Sequence, residues 1–159
     1  MKHTISILCD DIPGVMTRIS GLFSRRGFNI ESLTVGHTER PGKSRFTIVV
    51  EGDDGVLEQV RKQLQKLVHV IKVWDLDHER ILEREHALVK IEVQDSNRDS
   101  IMQLITVLQA RILNSSGTIW VLEITGDSKA VDSAINLLSQ FNIVESIRTG
   151  KIALEQGVR

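Results

Sequence analysis

Residues 4–27 read TISILCDDIPGVMTRISGLFSRRG, and two hydrophobic periods meet inside them. Thr4 to Cys9 is a β-branched, apolar run, which predicts a buried strand. Past the polar turn at Asp10 and Asp11, the residues Val15, Met16, Ile19, Leu22 and Phe23 recur at helical spacing and predict a helix with one apolar face. Pro13 suits the first helical position, where a missing N–H would have no partner anyway. Arg25 and Arg26 complement the negative end of the helix, and Gly27 supplies a left-handed stop. A strand that turns directly into an amphipathic helix is the first half of a βαβ arrangement.

Working outward, residues 29–38 and 44–51 read as strands. Between them ERPGK, 39–43, has Pro-Gly turn chemistry and predicts a hairpin. A second helix is expected at about 54–67, with Val56, Leu57, Val60, Leu64 and Leu67 on one face. His69 to Leu76 closes the unit as a strand. The order βαββαβ within residues 1–76 is the ferredoxin-like arrangement, with two helices on one face of a four-stranded antiparallel sheet. Residues 77–85 (DHERILERE) are charged and read as a connector. Over 86–159 the same order recurs. Strands are expected at 86–94, 111–113, 118–125 and 142–148, and helices at 97–110 and 127–140, the latter with Asp127 as N-cap. A tail is expected after Gly150. The expected fold class is therefore α+β, with two tandem ferredoxin-like domains. Units of this size bury limited cores, and a one-sided sheet leaves a face and edges to be covered, so dimerisation is expected.

Composition narrows the function classes. The chain has 159 residues, 41% hydrophobic and 26% charged, as a globular protein does. The formal net charge of −1 gives no basic field for nucleic acid or an acidic membrane. Aromatics at 4%, with no tyrosine, offer few faces on which bases could stack. No apolar run approaches the ~20 residues of a membrane span. The opening residues enter a strand pattern without a basic segment and apolar h-region, so a cytoplasmic setting is expected. The single cysteine, Cys9, forms neither an intrachain disulfide nor a cysteine-based zinc site and suits a reducing compartment.

No residue set suggests chemistry. Cys9 lies in an apolar strand and reads as a core thiol. His3, His37, His69, His78 and His86 show no metal-ligand spacing, and the acidic residues around His78 and His86 read as a solvated run. GxSxG, a P-loop and GxGxxG are absent. Asp53 and Asp54 fit the start of the second helix, where carboxylates complement the dipole. Catalytic and metal-binding residues are therefore expected to be none.

The Ile12-Pro13-Gly14 turn remains, with three readings open: a plain turn, an anion site for phosphate, or a pocket for another small charged molecule. First-turn N–H groups of a helix point outward with positive character, and Gly14 would let an anion approach them. Asp11 offers an acceptor to an ammonium group, while Asp10 and Asp11 would repel a phosphate. A zwitterion fits better than phosphate. Past the helix, Asn29 opens the next strand with its amide available.

At this point the sequence resembles a known family. ISILCDDIPGVMTRISGLFSRRGFNIESLTVG (5–36), SRFTIVVEGDDGVLEQVRKQLQKLVHVIKV (44–73), EREHALVKIEV (83–93) and LEITGDSKAVDSAINLLSQFNIVESIRTGKIAL (122–154) look like the small regulatory subunit of acetohydroxyacid synthase (acetolactate synthase). The Pro-Gly helix start is a signal of ACT domains in general. GLFSRRGFNIESLTV and RTGKIAL are specific to this subunit, and LQARILNSSGTIW is the loosest part of the match. The resemblance implies an N-terminal ACT domain over 1–76 that binds effector and dimerises, and an ACT-like second domain over 86–159. It implies a partner, the large catalytic subunit, which carries thiamine diphosphate, magnesium and FAD. No cofactor is expected on this chain itself. It implies that the small subunit activates that partner and confers feedback inhibition by a branched-chain amino acid, typically valine. Asp11, Gly14, Val15 and Met16 would line one side of the effector site, with Asn29 and Ile30 supplied by the facing protomer of a homodimer. Asp11 departs from the family, which commonly has Asn there. The alternative reading is a free-standing ACT-domain sensor that regulates another protein.

Overall fold

The structure, a computed structural model, describes residues 1–76 and 80–157, and for Val56 the backbone alone. His78 and the first part of the expected connector lie outside the described residues, as does the Val56 side chain. The chain divides into two compact units, Met1–Leu82 with Ile152–Arg159, and Glu83–Lys151.

The first unit runs β1 (Lys2–Asp10), α1 (Val15–Arg26), β2 (Ile30–His37), β3 (Lys43–Glu51), α2 (Asp54–Leu64) and β4 (Val70–Asp75). Its antiparallel sheet has the order β2-β3-β1-β4. Ile5, Ile7 and Cys9 of β1 alternate toward Ile19, Leu22 and Phe23 of α1, and Phe46, Ile48 and Val50 of β3 complete the same core. The alternate positions Thr4, Ser6, Thr47 and Val49 are buried as well, so β1 and β3 lack an exposed side.

The second unit repeats this plan with β5 (Ile81–Glu92), α3 (Arg98–Leu108), β6 (Arg111–Ser116), β7 (Ile119–Gly126), α4 (Ser128–Leu138) and β8 (Ile143–Arg148), in the order β6-β7-β5-β8. Ala87, Val89, Ile91, Ile101, Leu122, Val131 and Leu138 form its core. The repeat extends to irregularities. The register shifts between Leu8 and Cys9 where β1 meets β4, and between Lys90 and Ile91 where β5 meets β8. It also shifts at Ile30/Ser32 in β2 and at Ile112/Asn114 in β6. A bulge bends its strand and raises the local twist, so the two sheets are shaped alike at matching places. The fold is α+β, two tandem ferredoxin-like units.

Several expectations are corrected. Pro13 is not in the first helical turn; α1 starts at Val15 because Gly14 adopts a left-handed conformation. Strand β5 begins at Ile81, inside the segment expected to be a charged connector. There Glu83 takes a hydrogen bond from Lys151 at 2.7 Å, so that acidic side chain is compatible with an ordered strand. Residues 152–155 form β9, which pairs with β5, rather than a tail. Strand β6 reaches Ser116, beyond the expected 113, and is exposed at every position, which is why no alternation marks it.

Candidate functional site

The Ile12-Pro13-Gly14-Val15 stretch is a type II turn. Gly14 sits at φ 87°, ψ −9°, close to the +80°, 0° that the third residue of such a turn requires, with Pro suited to the second. The Val15 N–H points back to the Ile12 carbonyl at 3.5 Å, and the Arg18 N–H closes the first helical bond to Gly14 O at 3.1 Å. No side chain caps this helix start, in contrast to α4, where Asp127 Oδ1 accepts from the Ala130 N–H at 2.7 Å. A Cβ built on Gly14 would meet nothing within 4 Å. The first turn of α1 is therefore open to solvent, with outward N–H donors at the positive end of the helix.

The surroundings are polar on one side. The Asp11 N–H donates to Gly42 O at 2.9 Å, and its carboxylate stands 3.1 Å from His37 Nδ1. Asp10 turns away from the helix mouth: Lys43 Nζ and, at 3.2 Å, His69 Nδ1 both engage its carboxylate. The Lys43 hydrogen bond, reinforced by that of His69, holds the Asp10 carboxyl below its ordinary value. The turn and the first helical turn also expose apolar side chains, Ile12 and Met16. The mouth thus combines N–H donors, a carboxylate and an aliphatic rim.

The sequence-selected residues fall into two groups. Asp11, Gly14, Val15 and Met16 are brought together at the N-terminus of α1. The Val15 side chain is packed in the core, so only its backbone could face a ligand. Asn29 and Ile30 lie beyond the other end of α1. Twelve helical residues separate the groups by about 18 Å, so one chain does not assemble both into a single pocket. The far end is firmly built. Gly27 at φ 68° stops the helix, with Gly27 N–H to Ser24 O at 3.2 Å and Phe28 N–H to Phe23 O at 3.0 Å. Phe28 meets Phe23 edge-on at 6.4 Å, the hydrophobic contact that accompanies such stops. Asn29 follows, exposed, at the entrance to β2.

His37, Gly42, Lys43 and His69 were not selected from sequence. Register sets Lys43 opposite Asp10 and His37 opposite Ser44, and His69, just before β4, reaches Asp10 through its side chain. The ERPGK hairpin was the usable signal, since its turn fixes that register. Among the described residues no cluster of His, Cys, Asp and Glu has metal-binding geometry, and no helix is long and apolar enough to cross a membrane. Cys9 is fully buried, and burial raises its thiol pKa, as in an inert core cysteine.

Comparison with known proteins identifies the family. Residues 5–72 match the family described as AHAS small subunit-like ACT domain, and residues 84–157 match the family described as small subunit of acetolactate synthase. The chain is 50% identical over 157 residues to the probable acetolactate synthase small subunit of Archaeoglobus fulgidus, spanning 99% of this chain and 98% of that one. It is 41% identical over 157 residues to the acetolactate synthase small subunit of Mycobacterium leprae, spanning 99% and 93%. The crystal structure of the small subunit from Thermotoga maritima superposes with a TM-score of 0.92 at 42% identity, over 100% of this chain and 99% of that one. With both units matched and relatives of this identity covered almost whole, the chain belongs to the acetolactate synthase small subunit family, and its first unit is an ACT domain.

Proposed function

We propose that this chain is the non-catalytic regulatory subunit of a cytoplasmic acetohydroxyacid synthase. It binds and activates a thiamine-diphosphate-dependent large subunit and confers feedback inhibition by a branched-chain amino acid, with valine the first candidate. The large subunit carries the thiamine diphosphate, magnesium and FAD. The observation that carries the effector reading is the uncapped start of α1 behind Gly14, flanked by Asp11 and by Ile12 and Met16. Its N–H groups suit a carboxylate, Asp11 suits an ammonium, and the aliphatic rim suits a branched side chain.

The second half of the site, Asn29 and Ile30, comes from a facing copy. The length of α1 supports this, because a two-fold pairing can place the far end of one helix against the near end of the other. Regulation is linkage. An amino acid that binds one arrangement of the paired ACT domains more tightly shifts the population toward it. A coupling of about 1–3 kcal/mol to the large subunit gives roughly a 5- to 150-fold effect.

The test is to add this protein to its cognate large subunit, measure acetolactate formation, and titrate valine, leucine and isoleucine. Activation by the small subunit, reversed by one of the three, is the expected result. Absence of both activation and any response to the three amino acids would overturn the proposal.

A further inference from the structure

The far end of α1 borders a cleft that the effector reading does not use. It has a volume of about 270 Å³ and is lined by Arg26, Phe28, Gln59 and Gln63. Arg26 closes α1, and Gln59 and Gln63 stand four residues apart on α2, which puts them on one face. Phe28 is fixed by Phe23 and packs against the core. The three polar side chains are not fixed in this way: among the described residues, none of them makes a hydrogen bond or an ion pair within the chain. The helix end does not occupy Arg26 either, because the N–H groups of Gly27 and Phe28 already take the carbonyls of Ser24 and Phe23. The charge around the cleft has one sign. Helix α1 holds Arg18, Arg25 and Arg26 and no acidic residue, and among the described residues none of these arginines is in an ion pair. On α2, Glu58 beside Gln59 is already held by Lys62 at 2.7 Å.

We propose that this cleft is the socket in which the large catalytic subunit seats a surface carboxylate, an Asp or Glu side chain. The inference rests on the regulatory-subunit reading above and names the surface through which it acts. An arginine fork takes a carboxylate on two N–H groups, and the glutamine amides can donate to its remaining lone pairs. Small-molecule pockets run to roughly 300–1,000 Å³ and are mostly apolar. This cleft is smaller and has one aromatic wall among three polar ones, which suits a single inserted side chain. A basic face also draws an acidic protein surface toward it. The position argues against a second copy of this chain as occupant. Asn29 and Ile30, assigned to the pairing, lead into β2, whereas α2 packs against β4 at the opposite edge of the sheet.

The test is reconstitution of the full-length protein with its cognate large subunit, reading the small-subunit concentration that gives half-maximal activation of acetolactate formation. Wild type, Arg26→Gln, Gln63→Leu and Lys129→Glu, an exposed lysine of α4 in the second unit, are compared, with melting temperatures to confirm folding. Arg26→Gln should raise that concentration about tenfold or more, and Gln63→Leu about threefold. Lys129→Glu should match wild type. Wild-type behaviour of Arg26→Gln or of Gln63→Leu overturns the inference. So does an equal loss in Lys129→Glu, which would make the effect one of net charge. Acetate and succinate, titrated calorimetrically into the chain alone, should show no binding that depends on Arg26; such binding would make the cleft a site for a free anion instead. Sedimentation should give Arg26→Gln the oligomeric state of wild type, and a smaller species would make the cleft an interface between copies and overturn the docking role. If wild type neither binds nor activates the large subunit, the regulatory reading itself falls and this inference with it.

Discussion

Arg148 grips Glu85 with two nitrogens: Nε lies 2.7 Å from one carboxylate oxygen and a terminal nitrogen 2.8 Å from the other. Its second terminal nitrogen reaches Asp132 at 2.6 Å. Strands β5 and β8 and helix α4 are joined through one guanidinium. Glu85 is buried, so removing Arg148 would leave a buried carboxylate without its partner. Arg148→Met should destabilise the second unit by about 3 kcal/mol, the lower end for breaking a buried pair, because Arg148 is itself partly exposed. Adding Glu85→Gln should recover part of the loss. Urea unfolding measures both; a loss below about 1 kcal/mol for the single variant would contradict the assignment.

At Gly14 the backbone is left-handed but the space is empty. Gly14→Asp should therefore fold, at a cost of about 1–2 kcal/mol for the conformation. Its new carboxylate would take the place proposed for the effector's. Inhibition of the reconstituted holoenzyme should be lost. Gly117→Ala, at φ 60° in the β6–β7 hairpin, carries comparable strain and should leave inhibition unchanged. Equal behaviour of the two variants would mean that Gly14 matters for stability only.

Helix α3 ends as α1 does, with Ala110 N–H to Ile105 O at 3.0 Å, but its left-handed residue is Gln109 at φ 53°. Gln109→Gly should stabilise the protein by about 1 kcal/mol, since glycine adopts this conformation without the side-chain clash. Thermal unfolding checks it, and an unchanged or lower midpoint would count against the account of this stop.

The Asp10 carboxyl is held below its ordinary value by Lys43 and then by His69. A depressed folded-state value means the stabilisation is complete above the unfolded value near 4 and disappears as the pH falls through the folded one. Wild type should exceed Asp10→Asn in stability at neutral pH, and the difference should close below about pH 4. A difference that stays constant down to pH 2 would show that the ion pairing is not its source.

Both βαββαβ units are legible because their cores obey simple periods. The alternation Ile5, Ile7, Cys9 and the helical spacing Val15, Ile19, Leu22 read directly as elements. Strand β6 is legible only in part, since all six of its residues are exposed and no period survives. The start of β5 is hidden because Glu83 owes its environment to Lys151, which lies far along the chain. Pro13 misleads by position. Pro-Gly reads equally as a helix start or as the centre of a type II turn, and the left-handed Gly14 decides for the turn. In the candidate site the near half is visible in the local motif. His37, Lys43 and His69 are invisible there, because strand pairing and side-chain reach, rather than sequence proximity, deliver them.

The separation of Gly14 from Asn29 by the full length of α1 has a genetic consequence. On the proposed two-fold pairing, each effector site would draw Gly14 from one chain and Asn29 from the other. Chains carrying Gly14→Asp, and chains carrying Asn29→Ala, each form pairs in which both sites are defective. A mixed pair gathers both lesions into one site and leaves the other intact, so co-expressing the two defective alleles should restore part of the feedback response that neither supplies alone.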